Sequence, residues 1–160
     1  CVSSLPCRNL TRERRRKLRE LAARGYTPQV FREAFRKAFD GFDLEKVCGY
    51  GEEKLEMLMQ EPGIVRNKLK IRAAVNNAGV FRAIQQEWGS FDRYLWHWTE
   101  GQVVYETGKV SSALSDAVSK DLKRRGMKFV GTVIIYSYLQ AVGVINSHEE
   151  ACFCRQARRP

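Results

Sequence analysis

The sequence predicts an all-α protein, because apolar residues recur at helical spacing, capping residues precede those runs, and strand signals are weak. The 160 residues suffice for one domain with a hydrophobic core, and the 44% apolar and 29% charged residues are ordinary for a soluble domain. The longest apolar run, 130–144, contains Ser137 and Gln140, so no membrane span is expected. Without a recognisable secretory signal, we expect a cytoplasmic location.

Each predicted helix has recognisable start or stop residues. Pro28 suits the first turn of a helix, Asp43 and Ser90 can cap one, and Gly126 can end one. In chain order the predicted helices cover 10–24, 27 or 28 to 39, 42–47, 52–60, 67–88, 91–98, 112 or 115 to 126, 131–144 and 146–152.

Three stretches carry further expectations. Gly79 marks a candidate break in the longest helix, and residues 99–112 are predicted to form a loop with a short extended piece. Residues 131–144 are apolar enough to form a buried core helix.

A tight turn at Pro62 and Gly63 separates helices 52–60 and 67–88. Such a turn leaves free backbone N–H groups at the start of the second helix, where they can bind a phosphate. A plain connection between helices is the simpler interpretation of the turn alone. The charge balance favours phosphate binding, since 28 Lys and Arg against 18 Asp and Glu give a net charge of +10, although ribosome-associated and membrane-surface proteins share such a surplus.

The five cysteines are odd in number and irregular in spacing, which does not indicate a disulfide framework. His148 and Cys152 are four residues apart, so a helix would place both on one face as a pair of zinc ligands. A structural zinc site normally needs four ligands, and on spacing alone a surface histidine near a packed cysteine is the preferred interpretation.

Residues 115–148, SDAVSKDLKRRGMKFVGTVIIYSYLQAVGVINSH, resemble the C-terminal half of the bacterial DNA-3-methyladenine glycosylase I family. PGIVRNKLKI resembles the helix-hairpin-helix element of that family, and REAFRKAFDGFD and GSFDRYLW match further segments in the same order. The resemblance divides the chain into an atypical or truncated basic N-terminal segment (1–31), a glycosylase-like helical domain (32–152) and a basic tail (153–160).

The resemblance implies a monomeric base excision repair enzyme that acts on alkylated double-stranded DNA and has no membrane partner. Such an enzyme flips 3-methyladenine into an aromatic pocket, where water cleaves the N-glycosidic bond. Alkylation gives the base a positive charge and makes it a good leaving group, so no lysine nucleophile is required. The alternative is a DNA-binding remnant of the family that has lost catalysis, and a small helical interaction protein is a third class.

For DNA binding, the resemblance implies backbone phosphate contacts at Gly63, Ile64 and Val65. Arg66, Lys68 and Lys70 would supply charge. A second basic cluster is expected to be structural, because cations are favoured at a helix C-terminus; it consists of Lys123, Arg124, Arg125 and Lys128.

For the base pocket, the resemblance implies Tyr136 and Ser137 on the helix 131–144. The base-recognising glutamate and the AGLSW segment of the family are not recognisable in residues 1–31. Glu20 is the candidate catalytic carboxylate there, and Tyr26 is the candidate aromatic residue of the pocket.

The resemblance also implies a structural zinc, with His148 and Cys152 as its two C-terminal ligands. The N-terminal cysteine and histidine ligands of the family have no clear counterpart. Cys1 and Cys7 are the available N-terminal cysteines, and the other histidine of the chain, His97, lies outside the expected segment. The family site is therefore incomplete here, with zinc either absent or bound by a substitute set of ligands.

Overall fold

A computed structural model describes residues 28–65 and 67–155 of the chain. These residues form seven α-helices, two 3₁₀ turns at Asp40–Phe42 and Phe153–Arg155, and one pair of very short strands. The helices are α1 (Pro28–Ala38), α2 (Leu44–Cys48), α3 (Glu52–Gln60), α4 (Lys68–Trp88), α5 (Phe91–His97), α6 (Ala113–Arg124) and α7 (Thr132–Ala141). The all-α prediction is confirmed, whereas the predicted helix 10–24 lies outside the described residues.

Local capping chemistry sets the helix starts. The side chains of Asp43, Asn67 and Ser90 each accept a hydrogen bond from the backbone N–H three residues later, at 3.1, 3.0 and 3.0 Å. Ser112, rather than Ser115, is the N-cap of α6, and the two serines form a reciprocal capping box.

Helix α4 is continuous through Gly79, so the predicted break is wrong. The cost of one glycine in a helix is about 1 kcal/mol. The protein has two hydrophobic cores, and α4 packs against both, with Ile71 in one core and Ile84 in the other. This packing offsets the cost of the glycine.

The helices surround these two cores. The first core contains residues from α1 to α4, including Phe39, Leu58 and Ile64. The second is built from α4 to α7 and includes Tyr94 and Leu139. Helix α4 is the shared element, and it therefore fixes the position of the 61–67 turn relative to the C-terminal half of the chain.

Two asparagines attach the loop after α6 to α4. The side-chain amides of Asn76 and Asn77 donate to the carbonyl oxygens of Gly126 and Lys128, each at 2.9 Å. The Lys128 N–H donates back to Oδ1 of Asn77 at 2.8 Å. These three side-chain hydrogen bonds hold the loop between α6 and α7 against the middle of α4.

The strands β1 (Val104–Tyr105) and β2 (Ile145–Asn146) pair in parallel, with Val104 opposite Ile145. The predicted extended piece within 99–112 is thereby confirmed. The predicted helix 146–152 is wrong, since this segment begins with β2 and continues as turns. Pairing with β1 is a long-range contact that overrides the local helical pattern.

Helix α7 is a core helix, as predicted, but only one of its faces is buried. Ile135, Tyr136 and Leu139 pack in the core, whereas Val133 and Ile134 are 51% and 61% exposed. Across the described ranges, no helix is both long and apolar enough to cross a bilayer.

The predicted domain limits can be placed on these elements. Helix α1 begins at Pro28, so the limit between 31 and 32 falls inside a helix. The predicted basic tail begins with the 3₁₀ turn Phe153–Arg155, and residues 156–160 lie outside the described part.

Candidate functional site

The 61–67 turn joins α3 to α4 and packs closely against α1. A Cβ atom at Gly63 would lie 3.0 Å from the Cβ of Ala34, so any larger residue would push the turn away from α1. The Gly63 N–H donates to Oε1 of Glu61 at 3.2 Å. The turn therefore holds an anionic oxygen at the backbone group that the sequence assigns to phosphate.

Ile64 and Val65 differ in what their side chains do. Ile64 is 4% exposed and anchors the turn in the first core, whereas Val65 is half exposed. Considering the described residues alone, neither backbone N–H donates a hydrogen bond. Two amides next to the N-terminus of α4 are thus available to an anion.

Lys68 and Lys70 are both exposed, but they lie on different sides of α4. Lys70 lines a groove between α1, α2 and α4, next to Val65. Lys68 lines a separate depression between α3 and α4. Arg72, one turn further on, is paired with Glu52. Arg66 lies outside the described residues.

The two arginines of the second basic cluster are held in internal ion pairs. The guanidinium of Arg125 bonds Asp121 at 2.7 Å and Glu87 at 2.5 Å, and Arg124 also pairs with Asp121. Burial alone would raise the pKa of Asp121, but hydrogen bonds from Arg125, Tyr94 and Arg124 outweigh it and hold the pKa below its ordinary value. The expectation that these arginines serve the fold agrees with this geometry.

Tyr136 and Ser137 point in different directions from α7. Tyr136 is 1% exposed, and within the part of the chain that is described neither its hydroxyl nor Oε2 of nearby Glu106 has a hydrogen bond of normal geometry. Burial, and next the negative charge of Glu106, raise the pKa of Tyr136. Ser137 is exposed and its hydroxyl donates to the Val133 carbonyl at 3.1 Å. The structure does not bring these two predicted pocket residues to one surface.

A groove of about 500 Å³ lies between α1, α2 and α4. Its walls are apolar and include Phe35, Phe39 and Phe81, and Lys70 stands at its edge. None of the described residues that line it carries a carboxylate. Among the described residues, the walls therefore offer aromatic faces to a base but no carboxylate to pair with its charge.

His148, Cys152 and Cys154 form a compact set of side chains that could hold a metal ion, with ligand atoms all within 4.8 Å of one another. The Sγ of Cys152 lies 3.6 Å from Nδ1 of His148. The other histidine, His97, is used elsewhere: its Nδ1 lies 2.5 Å from the Tyr94 carbonyl oxygen, and its ring stacks on Trp88.

Two candidate site residues were missed by the sequence analysis, and two predicted ones lie outside the described residues. Glu20 and Tyr26 lie outside the described residues, so their predicted roles stay predictions. Glu61 was missed because an acid next to a phosphate site runs against the charge pattern. Cys154 was missed because it falls in the predicted basic tail 153–160, beyond the helix expected over 146–152.

Comparisons with known proteins agree with one another. The family model described as methyladenine glycosylase matches residues 29–155. DNA-3-methyladenine glycosylase 1 of Escherichia coli (strain K12) is 39% identical over 135 residues, covering 81% of this chain and 72% of the relative.

Two solved structures are also similar. A variant of 3-methyladenine DNA glycosylase I in complex with 3-methyladenine is 31% identical with a TM-score of 0.76, covering 81% of this chain and 73% of that one. A structure of 3-methyladenine DNA glycosylase I from Staphylococcus aureus is 31% identical with a TM-score of 0.75, covering 81% and 72%.

Proposed function

The chain belongs to the methyladenine glycosylase family, and we propose that it excises 3-methyladenine from alkylated DNA by hydrolysing the N-glycosidic bond. The observation that carries this proposal is the match, over about four fifths of the chain, to a glycosylase structure that holds 3-methyladenine. The chain is thus a DNA repair enzyme of the glycosylase class.

We assign DNA binding to the 61–67 turn, as a helix-hairpin-helix element. The two amides of Ile64 and Val65 and the N-terminus of α4 support this assignment, because they present positive partial charge to a phosphate. Glu61 would have to leave the Gly63 N–H before a phosphate could take that position. Arg66, Lys68 and Lys70 would then add long-range attraction that weakens with salt.

The proposed base pocket draws on residues 1–31 and on helix α7. An N3-alkylated adenine is cationic, so a carboxylate would select it and an aromatic face would stack on it. We keep Glu20 and Tyr26 as candidates for these two roles, with Tyr136 and Ser137 supporting from α7. The exposed apolar side chains Val133 and Ile134 leave one side of α7 open to a further element.

We also propose a structural zinc that includes His148 and Cys152 as ligands. Imidazole nitrogen and thiolate sulfur are the donors that zinc prefers, and the 3.6 Å separation between the two donor atoms fits two corners of a tetrahedral site. Zinc at this position would stabilise the chain end and take no part in bond cleavage. The monomeric state and the cytoplasmic location belong to the same proposal.

The proposal can be tested in bacteria that lack their own methyladenine glycosylases. Expression of the full chain should restore survival on a methylating agent, and Glu20→Gln and Tyr136→Phe should reduce that rescue. Equal sensitivity with and without the chain, at matched soluble expression, would contradict the proposal.

A further inference from the structure

The described residues contain a third donor beside the two ligands that the family resemblance implies. Cys154 lies in the 3₁₀ turn Phe153–Arg155, and its sulfur is within 4.8 Å of the ligand atoms of both His148 and Cys152. We propose that Cys154 is a zinc ligand, and that His148, Cys152 and Cys154 form a site whose three ligands all come from residues 148–154. This inference rests on the proposed zinc.

The spacing of the donor atoms suits a tetrahedral metal. With Zn–S of about 2.3 Å and Zn–N of about 2.0 Å, two ligand atoms at the tetrahedral angle are about 3.5 Å apart. The observed separation between Cys152 Sγ and His148 Nδ1 is 3.6 Å. The third donor needs to move by no more than about 1 Å to close the set around one ion.

The backbone around the three donors is held by hydrogen bonds that do not depend on a metal. Oδ1 of Asn146 accepts from the His148 N–H at 3.1 Å, and Nη1 of Arg155 donates to the His148 carbonyl at 2.8 Å. The Cys152 N–H donates to the Glu149 carbonyl at 2.9 Å. A turn fixed in this way loses less entropy when the metal binds.

Two further contacts connect the turn to the strand pair. Asn146 of β2 donates from Nδ2 to the Arg155 carbonyl at 3.3 Å, and the Arg155 guanidinium lies 5.3 Å from the ring centre of Tyr105 on β1. A zinc ion at the three donors would therefore fasten residues 148–155 onto β1 and β2, and through them onto the second core.

The charge of the site is balanced and its donor set is selective. Two thiolates neutralise the charge of Zn²⁺, and a nitrogen and two sulfurs disfavour Mg²⁺ and Ca²⁺, which prefer oxygen. His97 is not available as the fourth ligand, because its ring is stacked on Trp88 and bonded to Tyr94. The fourth position is left for water or for a cysteine from residues 1–27.

The test measures metal content and cobalt spectra of the full chain, purified under reducing conditions. Zinc should be present at about one per chain in the unaltered protein and in the control Cys48→Ser, whose residue is the last of α2 and is not one of the three proposed ligands. Cys154→Ser should lose zinc to a chelator at a concentration that leaves the control loaded. The loss of affinity should exceed the roughly 10- to 100-fold that removal of an outer hydrogen-bond partner costs.

Cobalt substitution counts the thiolates directly. The sulfur-to-cobalt charge-transfer band should fall by about half in Cys154→Ser if two thiolates bind the metal, or by about a third if a further cysteine takes part. An unchanged band and unchanged zinc affinity in Cys154→Ser would overturn the role of Cys154 while the zinc itself stands. Absence of zinc from the unaltered chain after reconstitution would overturn the site, and base release measured separately would still report on the glycosylase proposal.

Discussion

Asp121 on α6 offers a sharp test of how the C-terminal half is held together. Its carboxylate is 7% exposed and accepts hydrogen bonds from the Tyr94 hydroxyl at 2.9 Å and from Arg125 Nε at 2.7 Å, and it also pairs with Arg124. Asp121→Asn keeps the shape but removes the charge and one acceptor oxygen. Arg125 keeps its ion pair with Glu87. The loss in the free energy of unfolding should therefore lie near the lower end of the range for breaking a buried ion pair.

The expected cost is about 3 kcal/mol in the free energy of unfolding, which combines a lost charge-assisted hydrogen bond with a weakened buried pair. For a chain of this size that corresponds to a fall in Tm of about 6–12 °C. Urea unfolding followed by circular dichroism, together with a thermal scan, measures both quantities. The control is Asp116→Asn, at an exposed position in the first turn of α6, where the loss should stay below about 1 kcal/mol.

The pH dependence supplies an independent check. The folded-state pKa of Asp121 is lowered, so its contribution is fully present above the ordinary aspartate pKa, near 4, and is lost as the pH falls through the folded-state pKa. The stability difference between the unaltered chain and Asp121→Asn should therefore shrink on acidification below about pH 4. A loss under 1 kcal/mol at pH 7, or a difference that grows in acid, would refute this reasoning.

The remaining predictions concern the DNA-binding turn and use fluorescence anisotropy with a short duplex. Glu61→Gln should tighten binding by about two- to four-fold, because repulsion between two unit charges roughly 5 Å apart in water is about 0.8 kcal/mol and the substitution also weakens the bond to the Gly63 N–H. Weaker or unchanged binding would mean that the turn does not meet phosphate. Lys68→Ala and Lys70→Ala should each reduce the slope of log affinity against log salt by about 1, whereas the exposed Lys120→Ala on α6 should leave it unchanged. If all three variants keep the slope of the unaltered chain, Lys68 and Lys70 do not contact DNA phosphates.

Local chemistry explains why most helix starts were predictable. Asp43, Asn67 and Ser90 satisfy the first free N–H groups of their own helices, and that interaction involves only neighbouring residues. The turn at Gly63 was predictable for the same reason, since proline and glycine act on the adjoining backbone.

Long-range packing explains the errors. Gly79 does not interrupt α4, because two cores pack along that helix. The segment after Val144 is a strand and not a helix, because it pairs with β1 some 40 residues earlier, at Val104. The exposure of Val133 and Ile134 depends on which element covers α7, and the composition of α7 does not contain that information.

The proposed metal ligands could be predicted only in part from the sequence. The four-residue spacing of His148 and Cys152 identified a pair, because such residues share one face of a helix. In the structure this segment is not helical, and the pair forms in a turn instead. The turn that replaces the helix brings Cys154 to the pair as well. The third donor was missed because Cys154 was assigned to the basic tail 153–160, and the sequence does not show that this tail turns back onto His148.

The most direct test of the whole account is release of free 3-methyladenine from methylated duplex DNA by the purified full chain. The base is identified by chromatography and compared with a no-protein sample that corrects for spontaneous loss. The account predicts release well above that background, reduced in Glu20→Gln, with DNA binding retained. Release equal to the background, by a folded chain that still binds DNA with a strong salt dependence, would contradict it and favour a DNA-binding remnant without catalysis.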